Sequence, residues 1–445
     1  MKHTIKKRPR RKLFMYLILP LVLASLLISS LLFVSFHTES YSSQYLLVRM
    51  SDGTIITSQG EDEITYPASL TKIMTALLAI EHTSDLSEVV TVPEAVFDKV
   101  YKTGASVAGF EPGELATLEE LLYGIMLPSG AECCLAYAEY ISGSEAEFVS
   151  LMNLRARELG MNDTNFTNCT GLHSADHYST AKDLAILLRY ALENETFRRV
   201  FTSNSFYVTP SAVHSDGFYL HSTLSEALDR CENPLPKGLQ ILGGKTGYIP
   251  DAGYTGVAVA ERNGIKLIAV TLKADSANDR FADLAALLDY GFDNFSKKTV
   301  STSMFEPRTV NVVENDSIVA TVTVYTNSDI YYLLHNDISE SSVNVTANIP
   351  EAYSQFNIQP SLTLTVTDSS SLMYSNIGDV ALKFTTQQHD VPTPLNPDSQ
   401  ASAKPSENTF RVPVFVKVIL IILAVILIFI GIIIIMFLVS NAKRK

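Results

Sequence analysis

The stretch YPASLTKIMTALLAIE, Tyr66 to Glu81, decides how this chain is read. It places Ser69 and Lys72 three residues apart where an apolar helix begins, so both side chains fall on one helix face. A serine hydroxyl is a weak nucleophile at neutral pH and needs a base beside it. A lysine can be that base once burial or neighbouring cations lower its pKa. The first turn of a helix also favours negative charge developing on the serine oxygen. Alone the pair is weak, because Ser-x-x-Lys arises about once in a couple of hundred positions at ordinary residue frequencies. A capping serine with a solvated lysine would look the same.

Two further stretches change the reading. GIMLPSGAECC, from Gly124, puts Ser129 on a turn between two helical runs. LGGKTGYIPDAGYTG, from Leu242, puts Lys245, Thr246 and Gly247 at the start of a strand. Ser-x-x-Lys, a serine turn and Lys-Thr-Gly, in that order, is the motif set of penicillin-binding proteins and serine β-lactamases. The residue types suit acyl transfer. Ser69 attacks a carbonyl, Lys72 takes its proton, and Ser129 relays a proton to the leaving amine. Lys245 and Thr246 meet a substrate carboxylate, and Gly247 lets a ligand backbone approach the strand. The backbone N–H groups of Ser69 and Tyr248 can hold an oxyanion.

The surroundings predict a mixed α/β domain. QYLLVRMSDGTIITS, from Gln44, gives a hairpin about Asp52-Gly53, and AGYTGVAVAERNGIKLIAVTLKA, from Ala252, another about Asn263-Gly264. Thr117 with Glu120 forms a capping box, and Thr180 with Asp183 opens a second helix. NDRFADLAALLDYGF is a closing amphipathic helix. The N-terminal hairpin is expected to join strands from near residue 245 onward. Residues 300–385 turn to Thr- and Val-rich alternation and predict a small β domain, followed by a Pro/Ser-rich linker at 386–412.

Two stretches do not suit a soluble core. Leu13–Phe36 is 24 residues without a charge, and Val418–Val439, within a second apolar segment at 413–440, is 22. Each is long enough to cross the roughly 30 Å hydrocarbon layer. Basic tails at 1–12 and 441–445 place both ends in the cytoplasm and the rest outside. A cleaved signal sequence is the alternative reading of the first span, although its apolar part is long and VSFHTESYSS holds no small-residue cleavage site. Residues 37–410 carry 47 acids against 22 bases, a net −25, which argues against a nucleic-acid partner. The four cysteines, Cys133, Cys134, Cys169 and Cys231, show no zinc spacing and read as buried thiols.

Over residues 42–296 the chain resembles the low-molecular-mass penicillin-binding proteins of the D-alanyl-D-alanine carboxypeptidase type, serine peptidase family S11. PASLTKIMTALLAIE, FEPGELATLEELLYGIMLPSGAE, ELGMNDTNFTNCTGLHSADHYSTAKDLAILLRYAL and GGKTGYIPDAGYTGVAVA carry the likeness. The resemblance implies the transpeptidase-like fold of serine β-lactamases and penicillin-binding proteins, with a mixed antiparallel sheet, a helical region and a β domain before a membrane anchor. It implies removal of the terminal D-alanine from peptidoglycan stem pentapeptides, acylation by β-lactams, and no metal or cofactor. It assigns Ser69 as nucleophile, Lys72 as proton acceptor, Ser129 as the second-motif serine and Lys245 as a carboxylate contact.

One position departs from the family. The second motif is usually Ser-x-Asn and here reads Ser129-Gly130-Ala131. Ala131 lacks the amide that would bond the substrate carbonyl, a deficit of roughly 1–3 kcal/mol. A penicillin-binding sensor without catalysis is therefore one alternative. A serine β-lactamase is another, since Glu158-x-x-x-Asn162 has the spacing of a deacylating Glu, although the same residues read as a helix ending at Gly160. His173 and His177 lie within the family-like stretch and read as structural.

Overall fold

The computed structural model describes residue 40 and residues 42–229, 238–300, 306–315, 317–326, 330–353, 358–366 and 376–394. The expected spans at 13–36 and 413–440, both basic tails and Cys231 lie outside these residues. Among the described residues no helix is long and apolar enough to cross a membrane.

The chain begins with the expected hairpin of β1 (Ser42–Arg49) and β2 (Ile55–Gln59), turning at Gly53 with φ +78°. Two short ribbons pair β3 (Val89–Thr91) with β4 (Leu115–Thr117) and β5 (Ser205–Val208) with β6 (Phe218–His221). The main sheet is completed by β7 (Gln240–Ile249), β8 (Gly253–Arg262) and β9 (Ile265–Ala274). Its order is β2-β1-β9-β8-β7, antiparallel throughout, so the N-terminal hairpin does join the late strands. Asn263 and Gly264 both take positive φ, +53° and +74°, as a tight turn between β8 and β9 requires.

The helices are α1 (Lys72–Glu81), α2 (Glu94–Thr103), α3 (Leu118–Met126), α4 (Ala131–Ser142), α5 (Glu145–Glu158), α6 (Ala181–Ala191), α7 (Glu195–Phe201), α8 (Thr223–Asp229) and α9 (Ala277–Asn294). Side chains alternate across the sheet. Leu46, Val48, Val257, Val259, Ile268 and Val270 enter the core shared with the helical region. Tyr45, Leu47, Ala258, Ala260, Leu267 and Ala269 enter the core under α9, against Phe281, Leu284 and Leu288. A period of two thus buries both faces of one sheet.

Local signals fix the helix ends. The capping box of Thr117 and Glu120 opens α3, and Thr180 caps α6 by accepting from Asp183 N. Helix α5 stops at Glu158, and Gly160 follows at φ +80°. Helix α1 is buried on every side from Lys72 to Ala79. An all-round apolar helix belongs inside a core, and each fully buried Leu or Ile there contributes about 1.5–3 kcal/mol.

Lys245, Thr246 and Gly247 lie in the middle of β7 rather than at its start. The strand runs back through Gly243-Gly244 to Gln240. In the fold, a Cβ at Gly243 would meet the Phe201 carbonyl, and one at Gly244 the Val257 carbonyl. These glycines admit close neighbours to a continuing strand.

Contact clustering divides the chain into two units. The larger holds everything described up to Arg308 together with Val324–Ile349 and Gln359–Phe384. In it β13 (Ile330–His335) pairs with β10 (Phe295–Val300), and β14 (Val343–Asn348), β16 (Ser361–Val366) and β17 (Asn376–Ala381) form a three-stranded sheet. Part of the stretch read as a separate β domain therefore clusters with the larger unit. The second unit is built on β11 (Arg308–Glu314), β12 (Ser317–Tyr325), β15 (Ala352–Tyr353) and β18 (Lys383–Pro394), in the order β15-β11-β12-β18. Val310, Val312, Ala320 and Val322 are buried in alternation along two of its strands. Residues 386–394, expected to begin a linker, continue β18, because a neighbouring strand satisfies their backbone groups despite two prolines.

Candidate active site

Ser69 sits in the 3-10 turn Ala68–Thr71 that precedes α1. Ala68 is fully buried at φ +49°, a left-handed conformation costing an alanine about 1–3 kcal/mol. Close contacts impose it. Gly171, at φ +85°, lies so near that a Cβ there would overlap the Ala68 carbonyl oxygen. A Cβ on Gly247 would lie 2.9 Å from Ser69 N. The nucleophile turn is clamped between two glycines, one from a loop and one from β7.

Lys72 is 3% exposed, and its Nζ stands 3.1 Å from Ser69 Oγ and 2.6 Å from the Thr170 carbonyl. Burial pushes its pKa below the usual lysine range, with the nearby thiols and Glu132 opposing. The Thr170 carbonyl matters to this geometry. A neutral amine that donates one N–H to Thr170 O keeps a lone pair for the Ser69 proton. Asn168 fixes that carbonyl, since its Oδ1 accepts from the N–H groups of Thr170, Gly171 and Leu172 at 2.7–3.1 Å.

Behind the turn, Thr167 N donates to His177 Nδ1 at 3.0 Å. Nε2 therefore carries the ring proton and donates to Thr71 Oγ1, 2.8 Å away. Burial, then the charge on Lys72, lowers His177 to about 4. His177 is a neutral anchor for the turn between Ser69 and Lys72.

Ser129 occupies the left-handed region at φ +69°, and its Oγ is buried with no hydrogen-bond partner. An orphaned buried hydroxyl on a strained residue marks a position shaped for something besides packing. The next residue but one, Ala131, starts α4 at 1% exposure and donates its N–H to Ser106 O at 2.8 Å. Glu132 is spent on the same loop, its Oε1 accepting from Ala108 N at 2.5 Å and Gly109 N at 3.0 Å.

Lys245 is fully buried, with Nζ donating to Thr246 O at 3.0 Å. Burial, then the charges of Lys72 and Arg280, push it well below the usual range. Thr246 Oγ1 meets Thr223 Oγ1 at 2.7 Å, and Thr223 N donates to Leu127 O at 3.1 Å, tying β7 to the turn that holds Ser129. Tyr248 is half exposed, its ring 4.4 Å from that of Tyr254.

The fold thus joins Ser69, Lys72 and Gly247 directly and sets Lys245 within electrostatic reach of Lys72. No hydrogen bond links Ser129 Oγ to this group. Sequence reasoning missed Asn168, Thr170, Gly171 and Thr223 as parts of the site, and His177, read as structural, anchors the turn. TNCTG was quoted for its likeness, yet its contribution is a carbonyl and a missing Cβ, which residue type does not announce. Cys133, Cys134 and Cys169 are buried free thiols, and burial raises Cys134 to about 12, so it stays protonated.

A sequence profile described as D-alanyl-D-alanine carboxypeptidase, Peptidase_S11, matches residues 34–276. The chain is 34% identical over 251 residues to D-alanyl-D-alanine carboxypeptidase DacF of Bacillus subtilis (strain 168), covering 56% of this chain and 62% of that protein. It is 32% identical over 250 residues to the D-alanyl-D-alanine carboxypeptidase of Streptomyces sp. (strain K15), covering 54% and 83%. The match to DacF, like those to two Escherichia coli carboxypeptidases at 62–65%, spans less than two thirds of the relative's length. The crystal structure of the Streptomyces K15 DD-transpeptidase aligns with a TM-score of 0.52 at 29% identity, over 57% of this chain and 98% of that one. Penicillin binding protein 5 from Haemophilus influenzae aligns with a TM-score of 0.61 over 80% and 98%, at 21% identity, and shares the fold.

His177 predicts an acid sensitivity. Unfolded, the ring takes a proton near pH 6.5, whereas folded it does so near 4. Between those values the unfolded state binds more protons, so stability falls as pH drops through the window and the contribution is complete above it. The expected loss is about 3 kcal/mol. Denaturant unfolding of the wild type and His177→Asn at pH 4 to 7 checks this. The wild type should lose more stability than the variant across the window, and equal losses would contradict the assignment.

Proposed function

We propose, since this chain belongs to the D-alanyl-D-alanine carboxypeptidase family of serine peptidases, that it removes the terminal D-alanine from peptidoglycan stem pentapeptides through an acyl-enzyme on Ser69. The observation that carries this is the buried Lys72 Nζ, 3.1 Å from Ser69 Oγ and held by the Thr170 carbonyl.

Ser69 Oγ attacks the carbonyl of the D-Ala–D-Ala bond as its proton passes to neutral Lys72. The N–H groups of Ser69 and Tyr248 hold the developing oxyanion. Protonated Lys72 returns that proton, through Ser129, to the leaving amine, and D-alanine departs as the acyl ester forms. Water then attacks the ester, Lys72 takes the water's proton and gives it back to Ser69, and the shortened peptide leaves. Lys245 and Thr246 receive the terminal carboxylate, and Gly247 lets the substrate backbone approach β7. A β-lactam is attacked in the same way, its amide being the acyl donor. Every step uses side chains and backbone of this chain, with no cofactor.

The enzyme belongs at a bacterial cell membrane, with the catalytic region outside and spans at 13–36 and 413–440 inserted in the lipid bilayer. The uncharged runs, the basic tails and the acidic segment between them support this topology. The catalytic region corresponds to 42–296, with the β segment at 300–385 leading toward the second span.

Purified protein incubated with a pentapeptide ending in D-Ala-D-Ala should release free D-alanine, and Ser69→Ala should lose both this release and covalent labelling by a fluorescent penicillin while keeping its melting temperature. Label persisting on that variant would place the nucleophile elsewhere. In wall-stripped intact cells, added protease should digest the catalytic region and spare tags at both termini; loss of a C-terminal tag would remove the second span from the topology. Ala131→Asn tests the second motif. Ala131 is buried beneath the Ser106–Gly109 loop, so an amide there should cost roughly 1–3 kcal/mol of stability and leave penicillin acylation no faster. A severalfold faster second-order acylation in a well-folded variant would show that the missing amide is a true deficit.

A further inference from the structure

A cavity of about 370 Å³ lies in the larger unit between the end of β1, helices α6 and α7, the β8–β9 turn and the β10–β13 ribbon. None of Ser69, Lys72, Ser129 or Lys245 lines it. Its wall carries Arg49, Arg189, Arg198, Lys266 and Lys297 against one acid, Glu193. That surplus stands out in a segment of net charge −25.

Arg49 is the most informative of these residues. It is 5% exposed, and its Nε and Nη2 are paired with Asp52, while Nη2 also reaches Thr54 Oγ1. The remaining nitrogen, Nη1, is buried without a hydrogen-bond partner on a side chain that lines the cavity. A guanidinium N–H left unpaired under burial is costly, and an oxyanion is the partner it fits best. Asp52 balances Arg49, and Glu261 balances Lys266 at 3.6 Å, so the wall keeps a net +2. Lys297 stands over the Tyr331 ring at 3.9 Å, leaving a cation and an aromatic face together at the same cavity. Met50, Leu192, Ile265 and Leu333 make the remaining wall apolar. The space exceeds what a lone inorganic anion fills.

We propose that this cavity binds an organic phosphate ester, its phosphate held by Arg49, Arg189 and Lys297 and its body lying on the apolar wall and Tyr331. Several cations around one site favour a doubly charged phosphate over a singly charged carboxylate, and the unpaired Arg49 Nη1 adds one charge-assisted donor. The site is separate from the proposed carboxypeptidase chemistry, so the two are tested independently.

The test uses the full-length protein in a non-ionic detergent, titrated calorimetrically at low salt with phenyl phosphate, inorganic phosphate, benzoate and benzyl alcohol. Phenyl phosphate should bind with Kd below about 1 mM, at least tenfold tighter than each of the other three. Arg189→Glu combined with Lys297→Glu, a half-buried and an exposed cation of the wall, should weaken phenyl phosphate at least tenfold while penicillin acylation is unchanged. Arg49→Lys, which keeps the charge beside Asp52 and removes the unpaired Nη1, should also weaken it. Lys102→Glu, an exposed charge on α2, should not. The proposal is overturned by absence of phenyl phosphate binding, by equal affinity for inorganic phosphate or benzoate, or by equal loss in the Lys102 variant.

Discussion

The contact on which the site depends is the one between Lys72 Nζ and the Thr170 carbonyl. A lysine amine in a core of Ile, Leu and Met is costly when charged and poorly directed when neutral. One strong acceptor settles both difficulties. It satisfies a proton of the amine and, by fixing where that proton points, aims the rest of the nitrogen at Ser69. The carbonyl belongs to a loop a hundred residues downstream, which Asn168 folds about its own amide oxygen. That loop also supplies Gly171, whose missing side chain admits the Ala68 carbonyl and lets the nucleophile turn take a left-handed residue. One short segment therefore sets both the direction of the Lys72 amine and the shape of the turn bearing Ser69.

The sheet supplies the other wall by long-range pairing. β1 and β9 pair along seven positions from Ser42↔Ala274 to Arg49↔Leu267, so the first strand closes only after the last strand of the sheet exists. β7 lies at the opposite edge, where Gly247 approaches Ser69 N. Buried on both faces, the sheet acts as a fixed frame. Helix α1, buried all round, holds Lys72 against it with little freedom to turn.

Much of this was legible in the sequence. Ser69, Lys72, Ser129 and Lys245 stand out because their residue types and order form a known motif set, and the fold brings the first two into contact. The two hairpins were legible because Gly53, Asn263 and Gly264 take positive φ, which few residues supply. Thr117 and Thr180 were legible because caps lie within one turn of what they cap. What remained hidden works by other means. Thr170 acts through a backbone oxygen, Gly171 through an absent atom, and His177 and Thr223 through partners distant in sequence. The start of β7 was placed too late, at Lys245, because the strand runs back through Gly243-Gly244, whose missing side chains admit the Phe201 and Val257 carbonyls. The membrane spans rest on composition and flanking charge alone.

The two buried lysines also constrain each other. Lys72 and Lys245 lie in the same low-dielectric interior, where the charge of Lys72 counts against that of Lys245. Burial by itself favours keeping at least one of them neutral. A substrate carboxylate reaching Lys245 would stabilise the ammonium there and raise its pKa. A fuller positive charge on Lys245 in turn disfavours a proton on Lys72, by the same Coulomb interaction that couples them. In the proposed reaction, a ligand with a carboxylate at the right end therefore shifts Lys72 toward its basic form as it binds. The ammonium of Lys245 is then positioned both to recognise the terminal carboxylate and to bias the base, which gives a physical reason for placing two lysines in one core where a single one would already be costly.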